Sequence, residues 1–238
     1  MMGRTHSFCQ AGGRMSALDQ LPSFTPGART MLGDEVYGSL QQSILDGTFP
    51  PDARINAGEL ARHFAVSPTP VREALARLES DGLVEKLPLR GYRTTDLLDR
   101  RRLGELFELR LLLEPGTAAS AAERRSASDV ADLTKEVKAG RSAVGEDDAY
   151  RLLSQHDVRL HDLVFRSAQN ETVRQAYART HCHLHTFRLA YTGAYVTDTV
   201  DEHAAVAEAI SAGDANAAAD AMRTHIEHSR DRLMRVID

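Results

Sequence analysis

Apolar residues at 36, 37, 40, 44 and 45 recur at helical spacing, and Asp46-Gly47 then stops the pattern before a turn at Pro50-Pro51-Asp52. A second helix falls around Glu59-Leu60-Ala61, and a third opens on Ser67, a good N-cap whose hydroxyl can accept from an orphan amide. Pro68 and Pro70 lie in the first turn, where amides lack intrahelical partners. At about 100° per residue, Val71, Ala74, Leu75 and Leu78 share one apolar face. Thr69, Arg72, Glu73 and Ala76 fall opposite, on an outward face of mostly small side chains. Asp81-Gly82 ends this helix. Leu83–Leu87 and Tyr92–Thr95 then alternate as two short strands around Pro88-Leu89-Arg90-Gly91. Three helices and a hairpin make a winged helix-turn-helix, which holds one helix outward for the DNA major groove with a basic loop beside it.

From Asp96 the β pattern all but disappears. Helices are expected over 103–123, 127–143, 148–168, 171–191, 199–212 and 215–237, with breaks at Gly145, Asn170, Gly193 and Gly213-Asp214 and a kink at Pro115-Gly116. The predicted fold is therefore mainly α: an N-terminal winged helix-turn-helix (31–95), a linker (96–102), and an antiparallel bundle of six or seven helices (103–238). Residues 1–30, rich in Gly, Ser and Pro without periodicity, read as a disordered extension.

Composition refines this picture. The chain has 238 residues and 42% apolar content, enough for two cores. Two cysteines, Cys9 and Cys182, define no disulfide framework, and no run approaches the ~18 apolar residues of a membrane span, which points to the cytoplasm. The net charge of −5 runs against nucleic-acid binding, and residues 32–95 hold seven Lys/Arg against nine Asp/Glu. Placement must compensate, with Arg54, Arg62, Arg72, Arg90 and Arg93 facing phosphates. The candidate DNA-contacting set is Arg54, Ser67, Thr69, Arg72, Arg90, Gly91 and Arg93.

The histidines give the bundle its chemistry: eight of ten lie between 156 and 228. Asp157 and His161, at i and i+4, share a helix face. His203 starts the apolar pattern of Val206, Ala209 and Ile210, and His225 sits among Met222, Ile226 and Leu233, so both turn inward. One Asp and three His form a mixed N/O set suited to Zn²⁺, Ni²⁺ or Mn²⁺. Arg110 offers a carboxylate-binding fork or a structural pair with Glu114, and Arg188 is a second effector-binding candidate. His181, His183 and His185 read as a polar face or outer support for the metal ligands, with contact to the effector as the alternative, His156 and His228 as surface residues, Asn170 as a helix cap, and Cys182 as inert packing.

The ordered series Ile44-Leu45-Asp46-Gly47, Glu59-Leu60-Ala61, Ser67 to Leu75 and Leu78 to Val84 resembles the DNA-binding domain of GntR-type bacterial regulators. It departs at Pro68, where the family commonly has Arg, and at Pro51-Asp52, where it often has Pro-Gly. Further on, Asp157-x-x-x-His161, Ser167–Asn170, Glu202-His203-x-x-Val206, His225 and Glu108-Leu109-Arg110-x-x-x-Glu114-Pro115 resemble the FCD effector domain of the FadR-type branch. The resemblance implies a metal held by the Asp and three His at the floor of a ligand cavity. It also implies a homodimer on double-stranded operator DNA, acting as a repressor, and a small organic or sugar acid as effector. An enzyme of another class competes: the His156-Asp157 and His161-Asp162 dipeptides are shared by helical, metal-dependent phosphohydrolases of the HD type.

Overall fold

The computed structural model describes residues 29–146, 148–189 and 196–237. The extension expected over 1–30 lies almost wholly outside them, as does the break at Gly193.

Helix α1 (Arg29–Leu45) starts upstream of its apolar stripe and buries Val36, Leu40 and Ile44. Strand β1 (Arg54–Ile55) leads into α2 (Ala57–His63), where the Asn56 carbonyl oxygen of the side chain accepts from Gly58 and Glu59 amides. Helix α3 (Pro68–Ser80) buries Val71, Ala74, Leu75 and Leu78, the face read from the sequence. Ser67 stands at its N-cap position, but its hydroxyl makes no capping bond there, contrary to expectation. Strands β2 (Val84–Leu87) and β3 (Gly91–Thr94) form the wing, with Val84 opposite Thr94 and Leu87 opposite Gly91. β1 adds to the far side of β3, giving the order β1-β3-β2. That third strand escaped the sequence reading because two residues are too few to show alternation. Gly91 has φ +85°, and a Cβ there would sit 2.8 Å from the Ile55 carbonyl oxygen, so the β1–β3 approach requires glycine.

The second half contains seven helices among the described residues: α4 (Arg100–Arg124), α5 (Ala127–Ser142), α6 (Ala149–Ser167), α7 (Glu171–Ala178), α8 (Cys182–Phe187), α9 (Val196–Ala212) and α10 (Ala215–Met234). Leu103, Phe107, Leu133, Leu160, Val164, Val206, Ile210, Met222 and Ile226 fill their shared core. α4 continues through Pro115, which is buried within it. α5 starts on a capping box between Ser126 and Asp129, and Asn170 caps α7 by accepting from the Val173 amide. The helix expected over 171–191 is two helices. His181, with φ +47°, leaves the right-handed region between them and redirects the chain. No described helix is long and apolar enough to cross a membrane.

Candidate functional site

Asp157, His161, His203 and His225, from α6, α9 and α10, converge inside the bundle, with one ligand atom from each lying within 4.8 Å of the others. All four are buried. His203 Nε2 is 3.3 Å from His225 Nε2 and 3.4 Å from Asp157 Oδ1, and His161 Nε2 is 3.9 Å from the same carboxylate oxygen. Ligands bound at about 2.1 Å to one ion stand roughly 3.0–3.4 Å apart in octahedral or tetrahedral arrangement, so the set needs only small adjustment to share a cation. Both ring nitrogens of His161 are buried without a well-directed hydrogen bond; Nδ1 has the Glu114 carboxylate close by, whereas Nε2, on the cluster side, is a costly buried polar atom unless a ligand completes it.

Each histidine is held from behind. His161 Nδ1 stands 2.6 Å from Glu114 Oε2, and His225 Nδ1 pairs with Glu202 at 3.0 Å. His203 Nδ1 meets His156 Nε2 at 3.0 Å, and His156 Nδ1 meets Glu136 at 3.0 Å. Outer partners of this kind fix the ring orientation of a metal-ligating histidine. His156 is thus a correction: it is 1% exposed and supports His203, rather than lying on the surface. The room for its ring comes from Gly140, where a Cβ would lie 2.7 Å from it.

The electrostatics match. Burial pushes His161 down to about 4, against the pull of Glu114 and Asp157. Burial and then His203 push His225 down to about 3. Burial would raise Asp157, but His183 and its hydrogen bond hold its carboxyl well below the usual range. Neutral imidazoles and an ionised carboxylate are the protonation states that a metal ion requires.

A cavity adjoins Asp157, lined also by Arg110, Tyr150, Leu153, Thr186, Phe187, Thr199, Ser229, Arg232 and Leu233. Arg110 lines this cavity, and its Nε donates to Glu114 Oε1 at 2.5 Å, the structural pair that the sequence offers as one reading. Arg232, Ser229, Thr199 and Tyr150 were missed. Arg232 donates to both oxygens of Glu202, at 2.7 and 2.8 Å, and so borders both cavity and metal cluster. Its position in α10, seven residues and two turns after His225 on the same face, was a readable signal.

Arg188 is elsewhere. Its Nη1 donates to Thr95 Oγ1 at 2.9 Å and its Nη2 to the Thr95 carbonyl oxygen at 2.6 Å, at the end of the wing. The cavity is not lined by it. The whole of α8 has this double character. Toward the winged helix, Leu184 packs against its core, His181 Nδ1 stands 3.6 Å from Asp81 Oδ1, and the His185 ring lies 3.3 Å from the position a Gly82 Cβ would take. Toward the bundle, His183 Nδ1 contacts Asp157 Oδ2, Cys182 Sγ donates to the Tyr177 hydroxyl at 3.1 Å, and Thr186 and Phe187 line the cavity. His183 therefore backs a candidate ligand, as expected, and Cys182 is buried packing. His228 is exposed, on Glu202.

Of the candidate DNA-contacting residues, Ser67, just before α3, and Thr69 and Arg72 on it are exposed, as are Arg54 in β1 and Arg90 in the wing, with Gly91 at the wing's turn. Arg54, Arg72 and Arg90 make no ion pair with any described residue, whereas Arg93 is tied to Asp52 at 2.7 Å and also to Glu85. Those two acids hold its guanidinium firmly charged, Glu85 first.

A winged helix joined to a helical domain with a buried Asp/His cluster is the build of a bacterial transcriptional regulator. The family models agree: residues 32–93 match "Bacterial regulatory proteins, gntR family" and residues 105–228 match the FCD domain. The chain belongs to the GntR family of regulators, in the branch that carries an FCD domain. The galactonate operon transcriptional repressor of Escherichia coli is 28% identical over 85% of this chain and 97% of that protein. The HTH-type regulator YdhC of Bacillus subtilis is 26% identical over 86% of this chain and 92% of its own length. The solved structure of E. coli McbR/YncC superposes with a TM-score of 0.68, at 22% identity, over 86% of this chain and 97% of that one. The phosphohydrolase alternative finds no support. Asp162 faces outward onto Arg174 at 2.9 Å, and His156 points its Nε2 at His203, so neither His-Asp dipeptide presents two ligands to one ion.

Proposed function

We propose that this regulator binds operator DNA as a homodimer through α3 and the wing, and that a small organic or sugar acid beside a divalent ion in the bundle controls that binding. The observation that carries the reading is the cluster of Asp157, His161, His203 and His225, each histidine backed by its own partner, with Asp157 reaching the wall of a cavity that mixes apolar, hydroxyl and guanidinium groups. Zn²⁺, Ni²⁺ and Mn²⁺ all suit three imidazoles and a carboxylate. When bound, such an ion supplies a fixed positive charge that favours a carboxylate ligand.

The chain's own residues favour the same class. Thr199 and Ser229 offer hydroxyls, the Tyr150 and Thr186 hydroxyls already donate to the Phe187 and Cys182 carbonyl oxygens and can still accept, and Arg110 and Arg232 are matched by Glu114 and Glu202. A hydroxylated monocarboxylate meets these groups better than a strongly charged phosphate ester. The name of the galactonate repressor among the relatives points the same way.

Ligand binding alters DNA affinity only through a difference in affinity for two arrangements of the protein. α8 supports such a link, since it touches the cavity, Asp157 and the winged helix at once. In a repressor, the acid would favour the arrangement that releases DNA. The test is elemental analysis of the purified protein followed by thermal shift against a panel of aldonic, uronic and hydroxy acids. Bound metal, lost in His203→Ala and His225→Ala, and a metal-dependent shift by one acid class are expected. Metal content unchanged by both substitutions would sink the site.

A further inference from the structure

Behind each histidine of the cluster a relay runs outward through a glutamate to an arginine. His225 Nδ1 meets Glu202 Oε2 at 3.0 Å, and Arg232 donates to the two oxygens of that carboxylate at 2.7 and 2.8 Å. His161 Nδ1 stands 2.6 Å from Glu114 Oε2, and Arg110 donates to Glu114. His203 reaches Glu136 through His156, and Arg159 donates to Glu136 at 2.9 Å. Arg110 and Arg232 line the cavity beside Asp157, whereas Arg159 does not. Two of the three relays therefore run from the cavity wall to the cluster.

The glutamate is the shared element of each relay. A carboxylate divided between a guanidinium and an imidazole N–H polarises the imidazole less than one that faces the imidazole alone. The two relays differ in how firmly they are held. Arg110 and Glu114 are 3% and 0% exposed, and the Tyr177 hydroxyl also donates to Glu114 at 2.9 Å. Arg232 and Glu202 are 13% and 14% exposed, and the other neighbour of Glu202 is the exposed His228. The Arg232 relay is the one with room to shift.

We propose that Arg232 sets the affinity of the metal site through Glu202, and so lets the contents of the cavity adjust that affinity. A ligand oxygen that takes a share of the guanidinium leaves more of the Glu202 charge to His225. The imidazole becomes a stronger donor and the metal is held more tightly. By linkage, the metal tightens the ligand by the same factor. The proposal rests on the reading of the cavity as a site for a hydroxylated acid, and it assigns the acid's two ends: the carboxylate to the metal, a distal oxygen to Arg232.

The Zn²⁺ affinity of the full-length protein, read by competition with a chromophoric chelator, tests the relay without any acid. Arg232→Gln should bind Zn²⁺ about tenfold more tightly than wild type, whereas losing an arginine of merely structural role would loosen the site. Arg232→Met, which keeps the apolar stem, should behave alike, and Arg232→Lys, which keeps the charge, should stay near wild type. Glu202→Gln should weaken binding about ten- to a hundredfold, and adding Arg232→Gln to it should change nothing further, because the relay is already cut. Unchanged or weaker affinity in both neutral variants overturns the proposal. So does an equal gain in the Glu202→Gln background, which would mark a direct effect of charge. Repeating the titration with aldonic, uronic and hydroxy acids separates the proposal from the reading beneath it. One acid class should tighten Zn²⁺ in wild type and do so less in Arg232→Gln. Equal tightening in both leaves the acid sensor intact and overturns the relay. No tightening by any acid, with the variants behaving as expected, supports the relay and removes the acid reading instead.

Discussion

Gly140 has no polar atom beyond its backbone, yet it decides where His203 points. A Cβ there would overlap the His156 ring at 2.7 Å, and that ring holds His203 Nδ1 at 3.0 Å. Gly140→Ala should favour helix α5 by propensity but displace His156 and weaken metal binding by about ten- to a hundredfold. A chelator-competition titration measures this, and an unchanged affinity would show that His156 does not position His203. The same cluster sets a pH limit. His161 and His225 have folded values of about 4 and about 3, below the unfolded ~6.5, so folding excludes protons from them. Their stabilising contribution is complete above pH 6.5 and is lost as pH falls toward 4, at about 1.4 kcal/mol per pH unit for each ring. His183, raised to about 10 through Cys182 and Asp157 despite burial, gains stability as pH falls through 6.5 and so offsets part of this loss at the top of that window. Metal-free protein should therefore melt progressively lower between pH 6.5 and 5, whereas a flat melting temperature would contradict neutral buried rings. Helical spacing revealed Asp157 and His161, because i and i+4 on one helix meet by geometry alone. It could not reveal the role of His156, which depends on Glu136 and Gly140 arriving from another helix.

At the scale of elements, the periodic ones were legible and the short ones were not. α3 buries the four residues its 3.6-residue period singled out, and α4, α5, α6 and α10 fall close to their apolar stripes. β1 and α8, of two and six residues, are too short for a period to register and are shaped by what they touch. α8 shows the cost of this. As the tail of one long helix, His181, His183 and His185 read as a polar face or outer support, and Arg188 as an effector contact. The turn at His181 instead sends Leu184 and Arg188 to the winged helix and His183, Thr186 and Phe187 to the bundle. Arg188→Ala removes the two bonds to Thr95 without touching the cavity. Binding of the effector acid should persist, seen as an undiminished thermal shift, while the acid's effect on operator affinity should shrink about tenfold from a coupling of typically 1–3 kcal/mol. Operator titrations with and without the acid separate the two, and an unaltered coupling would remove α8 from the path.

For the whole molecule, the open physical problem is an acidic chain on a polyanion. A net charge of −5 gives no general attraction to DNA, so affinity must come from a few cations freed from their own acids. The structure divides the arginines accordingly. Arg77 is bound to Asp34 at 2.6 Å and lies over the Tyr37 ring, and Arg93 is shared between Asp52 and Glu85. Arg54, Arg72 and Arg90 carry no such pair among the described residues. Arg72 alone of these projects from the exposed face of α3, where Pro68 leaves no second cation in the first turn. Arg72→Ala should then cost about 1–3 kcal/mol of operator affinity if it reads a base, with relaxed preference at one position. If it meets only phosphate, the loss should be uniform across sequences and the salt slope should fall by about 0.9. Arg93→Ala should cost less than either, because its guanidinium is already held by Asp52 and Glu85 and is not free to meet phosphate, and Asp52→Asn should strengthen binding by releasing it. Operator titrations over a salt series decide the order. A larger loss at Arg93 than at Arg72 would place the main contact in the wing and not in α3.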